Sequence, residues 1–291
     1  MTTMIHPAPA RQPLGRRLLN FPLTRIVLAS LLAVATAFIM FALAKAVAVK
    51  EARIIWPQLL AAVAVLAAYW GYVRVVEKRP ATELSRFRAL PELGIGLLIG
   101  AAMVAAEIAV LYALGNYQIT GTNAWTIALA QPLAVMVFVG VIEEVIGRGV
   151  IFRITEESLG SWAAVVISAL IFGLAHLPGE GAGILAIFNT VVAGAFFAAA
   201  YMLTRRLWLC IGIHIAWNYT LGSVFSIAVS GNESKGFLIG KLSGPEWLTG
   251  GTYGLEASLL TLLTLVLAGG VMFQMAHARG NVLARKRGRA A

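Results

Sequence analysis

Eight apolar stretches fall near residues 26–44, 54–73, 93–114, 125–147, 161–177, 184–203, 207–229 and 257–276. Each is close to the roughly 17–25 residues that a helix needs to cross a bilayer. In hydrocarbon every backbone N–H and C=O must find a partner inside the protein, and helices supply those partners segment by segment. The chain is therefore predicted to be all-α, a polytopic membrane helix bundle of about eight transmembrane helices. Composition agrees: of 291 residues 59% are hydrophobic and 12% charged, too little polar surface to wrap a water-soluble globule. The first run follows a basic leader and contains Ala-x-Ala pairs, but it is longer than the ~7–15 residues of a signal-peptide core. It is expected to be a retained helix.

Orientation follows from the basic residues, because short loops rich in Lys and Arg stay in the cytoplasm. With the N-terminus inside, the leader (Arg11, Arg16, Arg17, Arg25), the second connection (Arg74, Lys78, Arg79, Arg86, Arg88), the fourth (Arg148, Arg153), the sixth (Arg205, Arg206) and the tail (Arg279, Arg285, Lys286, Arg287, Arg289) all face the cytoplasm. They are 18 of the 23 basic residues; Lys45, Lys50, Arg53, Lys235 and Lys241 fall outside. Both termini are thus expected to be cytoplasmic. The net charge of +10 reads as a topogenic signal and an attraction to a bilayer with anionic headgroups. A nucleic-acid partner is not expected, since no folded basic domain stands behind the charge.

No internal repeat or long linker divides the chain. It reads as a basic cytoplasmic leader over 1–21, a single membrane domain over 22–277 and a basic cytoplasmic tail over 278–291. Two connections stand out, a charged hairpin over 147–160 and a polar external loop over about 230–255, the latter read as a solvated connector, with gating or substrate contact as the alternative. One cysteine, Cys210, leaves no intrachain disulfide and no multi-cysteine metal site.

Ionisable side chains at membrane depth are costly and face a cavity or a partner, so each is a functional candidate. They are few: Glu107 in the third run, Glu143 and Glu144 in the fourth, His176 ending the fifth, and His214 with Asn218 in the seventh. Adjacent helical residues point about 100° apart, so Glu143 and Glu144 need different roles. Glu144 stands four residues before Arg148, the spacing at which the two meet on one face. Glu143 has Gly147 at that spacing and is the freer carboxylate. Phe172 and His176 share a face, as do His214 and Asn218. His214, some eight residues past Arg206, should lie roughly 12 Å deep. Glu107 and Asn189 are read as helix–helix hydrogen-bonding groups, and His6 and His277 as bystanders.

The ordered set Glu143-Glu144-x-x-x-Arg148, Phe172-x-x-x-His176 and His214-x-x-x-Asn218, on three different helices, resembles the CAAX protease and bacteriocin-processing family of intramembrane endopeptidases. The likeness covers roughly 125–225, taken as the catalytic core, with Gly147 standing where the family often carries an aromatic residue. The resemblance implies hydrolysis of a peptide bond in a membrane-associated protein or peptide, CAAX-like or bacteriocin-related. It implies that Glu143 and His176 activate a water and that His214 and Asn218 form an oxyanion hole. Glu144 and Arg148 would brace the fourth helix and help hold a substrate backbone or carboxylate, and Phe172 would support.

No cofactor is favoured. Zinc is the alternative, held by Glu143, His176 and His214, a two-histidine, one-carboxylate set. All 13 acidic residues are glutamate, which removes paired-aspartate and Ser-His-Asp mechanisms, and H-E-x-x-H is absent. Two rival classes stand beside the protease: a proton- or cation-coupled transporter using Glu107 and Glu143, and a non-catalytic immunity or scaffold protein. The location is a multi-pass membrane protein, in the plasma membrane if the source is bacterial. One geometric demand is explicit. For His176 to reach Glu143, the chain between them must turn midway, near residue 160.

Overall fold

The computed structural model describes residues 19–124 and 126–285, with no side-chain placement for 127–129. Most of the predicted leader and the last residues of the tail lie outside the described residues. Helices α1 (Pro22–Val47), α2 (Trp56–Val75) and α3 (Ala89–Ala113) run up, down and up, and Pro22 and Pro57 sit in first turns where no N–H is missed. A strand, β1 (Tyr117–Thr122), leads to α4 (Ile127–Glu144), which passes through a π-helical stretch, Val145–Phe152, into α5 (Arg153–Leu159). Then come α6 (Ser161–Ala175), α7 (Ile184–Thr204) and α8 (Trp208–Tyr219), the last followed by a π turn, Thr220–Val224. Strand β2 (Leu238–Leu242), the short α9 (Glu246–Thr249) and α10 (Leu259–Ala278) complete the order.

Each of the eight apolar runs holds a helix, yet among the described residues only α1, α2, α3, α7 and α10 are long and apolar enough to span a membrane by length and composition. The other three runs carry the polar motifs, and there the helices are short or interrupted. Hydropathy cannot register a π stretch or a glycine stop. Nor did it anticipate β1 and β2, which pair antiparallel from Tyr117↔Leu242 to Thr122↔Leu238 with an irregularity between Ile119 and Gly121.

The midway turn is at Gly160, whose φ of +83° closes α5 and opens α6. Only glycine takes such a conformation without strain. The path from Ile127 to Leu159 covers roughly 45–50 Å at helical rise, longer than the ~30 Å hydrocarbon core. Helix α6 starts back from the far end of that path.

Helix α8 sits at the centre. Every residue from Leu209 to Asn218 is buried, as expected of a helix that is apolar nearly all round. It crosses α3 backbone to backbone: a Cβ on Gly212 would stand 2.4 Å from Leu93 O, and one on Gly96 2.4 Å from Leu209 O. Small residues are what permit such an approach between membrane helices.

Ion pairs gather the chain at one end of the bundle. Arg25 reaches Glu77 at 2.7 Å and Glu157 at 2.8 Å, Arg153 reaches Glu77 at 2.9 Å, Arg79 reaches Glu83 at 2.7 Å, and Arg205 reaches Glu156 at 2.6 Å. Arg206 pairs with Glu92, and Leu283 N–H donates to Ser161 Oγ at 2.8 Å. This basic end joins the start of α1, the α2–α3 connection, the Gly160 turn, the α7–α8 turn and the segment after α10. The β ribbon and the connections before α7 and α10 make the opposite, loop end.

Burial alone would raise the Glu77 carboxyl, but the guanidinium groups of Arg153 and Arg25 outweigh it and hold it below the usual carboxylate range. A carboxyl depressed in the folded state stabilises above its unfolded value, about 4.5, and that stabilisation is lost as pH falls through the lower folded value. Thermal stability in detergent should therefore decline as pH drops below about 4.5, and Glu77→Gln should flatten the decline. An identical acid limb in both proteins would contradict this reading of the network.

Candidate active site

Glu143 is in the last turn of α4, His176 caps the C-terminus of α6, and His214 and Asn218 lie one turn apart in α8. All four line one cavity of about 1050 Å³, together with Phe172. Glu143 Oε2 is 3.7 Å from His214 Nε2 and 3.9 Å from His176 Nε2, and it has no hydrogen-bond partner among the described residues. Separations just beyond direct hydrogen-bond reach are those one water spans.

Both imidazoles are oriented from behind. His176 Nδ1 lies 2.8 Å from Phe172 O, and a carbonyl can only accept, so the proton is on Nδ1 and Nε2 faces Glu143. His214 Nδ1 lies 2.9 Å from Glu144 Oε1, which likewise leaves Nε2 towards Glu143. The two adjacent glutamates thus serve opposite edges of one ring, Glu143 inside the cavity and Glu144 behind it.

Glu144 is fully buried and pairs with Arg148 at 3.0 Å. The Arg148 guanidinium lies between Phe172 and Phe197, 4.6 and 4.8 Å from their ring centroids, and donates to Gly194 O at 3.1 Å. One sequence expectation for Arg148 is corrected here. It is 1% exposed and does not line the cavity, so it does not hold a substrate backbone or carboxylate there. An i,i+4 pair at the end of an apolar run reads as an interfacial group; the π stretch and two aromatic rings turn it inward instead.

Contacts across helices were not legible in the sequence. The Glu144–His214 pair is one. Another is Glu256, which accepts from Trp217 Nε1 at 3.1 Å, from Ser230 Oγ at 3.0 Å and from the Ser230 N–H. It ties the residue before Asn218 to the 230–255 loop, whose Ser230, Asn232, Glu233, Ser234 and Lys235 line the cavity. Of the two readings of that loop, the lining favours contact with whatever fills the cavity over a plain solvated connector. Asn189 and Glu107 do bond between elements: Asn189 Nδ2 donates to Glu256 O at 2.9 Å and Ser258 O at 2.7 Å, and Thr261 Oγ1 donates to Glu107 at 2.7 Å. Glu107 does not line the cavity that holds Glu143.

The alternative zinc set makes a definite geometric demand. Zinc bonds of about 2.0–2.2 Å in a tetrahedron put ligand atoms roughly 3.3–3.5 Å apart. The Glu143–histidine separations are wider, and no three His, Cys, Asp or Glu side chains among the described residues gather closely enough to hold a metal ion. As placed, these side chains stand a few tenths of an ångström wider than a zinc ligand set, and no catalytic step is routed through the ion. A chelator that leaves the rate of substrate cleavage unchanged is the expected result; loss of activity restored by added zinc would reverse it.

Fold and cavity together define a multi-pass membrane protein with a carboxylate, two imidazoles and a carboxamide around one pocket among its helices. Residues 124–220, about a third of the chain, match the family model described as Rce1-like, type II CAAX prenyl endopeptidase Rce1-like. The matched segment contains all three motifs and supports a CAAX-type intramembrane endopeptidase in general. No curated protein and no solved structure matches the chain.

Proposed function

We propose that the protein hydrolyses a peptide bond in a membrane-associated peptide or protein by a water that Glu143 activates between His176 and His214. The observation that carries this reading is the approach of both Nε2 atoms to within 4 Å of one Glu143 oxygen. His176, with its proton on Nδ1, offers an Nε2 lone pair that accepts a hydrogen bond from the water and holds it. Glu143 takes the other proton as the water oxygen attacks the scissile carbonyl, and later passes that proton to the leaving amine.

The tetrahedral oxyanion would be met by His214 and Asn218. A His214 that donates through Nε2 while Nδ1–H faces Glu144 is an imidazolium, and Glu144 offsets its charge at 2.9 Å. Arg148, held between two phenylalanines, fixes Glu144 in turn. Glu143, Glu144, His214 and Arg148 then sum to no net charge, which is what a site screened from water requires.

Apolar walls from Val135, Met136, Val139, Ile171 and Phe196, with a polar rim, suit an extended segment leaving a membrane helix, CAAX-like or bacteriocin-related. His176→Ala tests the role of the water holder: without it the water is no longer set against Glu143, so turnover of a membrane-tethered peptide should fall about 10²- to 10⁴-fold, as though the proton transfer to Glu143 were itself lost. Wild-type turnover in that variant would remove His176 from the mechanism.

A further inference from the structure

The cavity has a direction. Its rim is built from loop-end residues, among them Pro178, Gly179, Asn232, Glu233 and Lys235, and of these all but Gly179 are exposed. Towards the basic end it stops at Gly147 and Ile151. Beneath that floor Val150, Phe152 and Ile154 are completely buried, and the Arg25–Glu77–Arg153 pairs lie across the way out. The short α6 ends at His176 on the loop side, so His176 enters the cavity from the loop end while the floor closes the other.

Lys and Arg side chains concentrate at the closed end, and the positive-inside bias assigns that end to the cytoplasm. Resting on the proteolytic reading above, we propose that the cavity takes its substrate from the non-cytoplasmic face. The bond cut would then lie in a peptide segment emerging on that face, as at the outer end of a membrane-spanning peptide, and not in a cytoplasmic lipid-anchored C-terminus. The rim fits such a segment, with one acidic and one basic exposed side chain beside uncharged Asn232 and Ser234, chemistry suited to backbone amides more than to one charge sign.

Two measurements on the full-length protein test this separately. The first is labelling of intact cells by a membrane-impermeant maleimide; the buried native Cys210 serves as blank. Glu233→Cys should label before permeabilisation and Arg86→Cys only after, with Asn232→Cys as a second rim position should the first not accumulate. The second uses single-span reporter peptides with a randomised segment flanking either the outer or the inner end of the helix. Glu143-dependent cuts should fall in the outer set and be lost from the inner one.

Rim labelling confined to permeabilised cells, or cuts in the inner set, would overturn the proposal. Outer labelling with neither set cut would keep the mouth on the outer face while removing proteolysis itself, so the two failures are distinguishable.

Discussion

Glu143→Gln is expected to lower peptide-bond cleavage by about 10³- to 10⁴-fold, at the upper end of what a lost general base costs, while the protein accumulates and purifies as the wild type does. Glutamine keeps the shape of the side chain and removes its ability to take a proton. Folding should be spared because Glu143 accepts no hydrogen bond through Oε2 and its side chain is 32% exposed to the cavity. The neighbouring change, Glu144→Gln, separates the two carboxylates. It leaves the water site intact but removes the counter-charge behind His214, so it should weaken oxyanion stabilisation and perturb stability together. If Glu143→Gln retained wild-type turnover while Glu144→Gln lost it, the roles assigned to the pair would be reversed.

The largest structural effect should come from Arg148→Met, with a loss of about 3–5 kcal/mol, the range for removing one partner of a buried ion pair. Arg148 is 1% exposed and Glu144 not exposed at all, so the carboxylate, left with His214 as its one remaining charged partner, has no water to turn to. The Phe172 and Phe197 rings and Gly194 O lose their guanidinium partner at the same time. Thermal unfolding in detergent gives the readout. Joining Arg148→Met to Glu144→Gln should cost less than the sum of the single changes, since the second removes the charge that the first strands. An unchanged unfolding temperature for Arg148→Met would mean that the pair is solvated, against its burial.

How much of this was open to a reader of the sequence depends on the length scale of each contact. Bundle class came through because it rests on run length. The Glu144–Arg148 pair came through because it is four residues long. The pairing of Glu144 with His214, 70 residues away, had no local signal. Nor could run length show that the three motif-bearing helices are short or π-interrupted, although those interruptions follow Glu144 and Tyr219 directly. π stretches recur at functional sites, and here they lie at the two segments that carry the carboxylates and the His214–Asn218 pair. The Gly160 turn was reachable by a different route, from the demand that His176 meet Glu143. The inward placement of Arg148 was not, because it depends on Phe197 in α7, which no motif includes.

Hydrolysis by an activated water, with no covalent intermediate on the protein, is the chemical core of the account. Single-turnover cleavage in H₂¹⁸O, followed by mass spectrometry of the intact protein and both fragments, measures it directly. The new carboxyl terminus should carry ¹⁸O while the protein mass stays constant throughout, and Glu143→Gln should yield neither fragment. A transient gain equal to the acyl fragment on the protein would contradict the account.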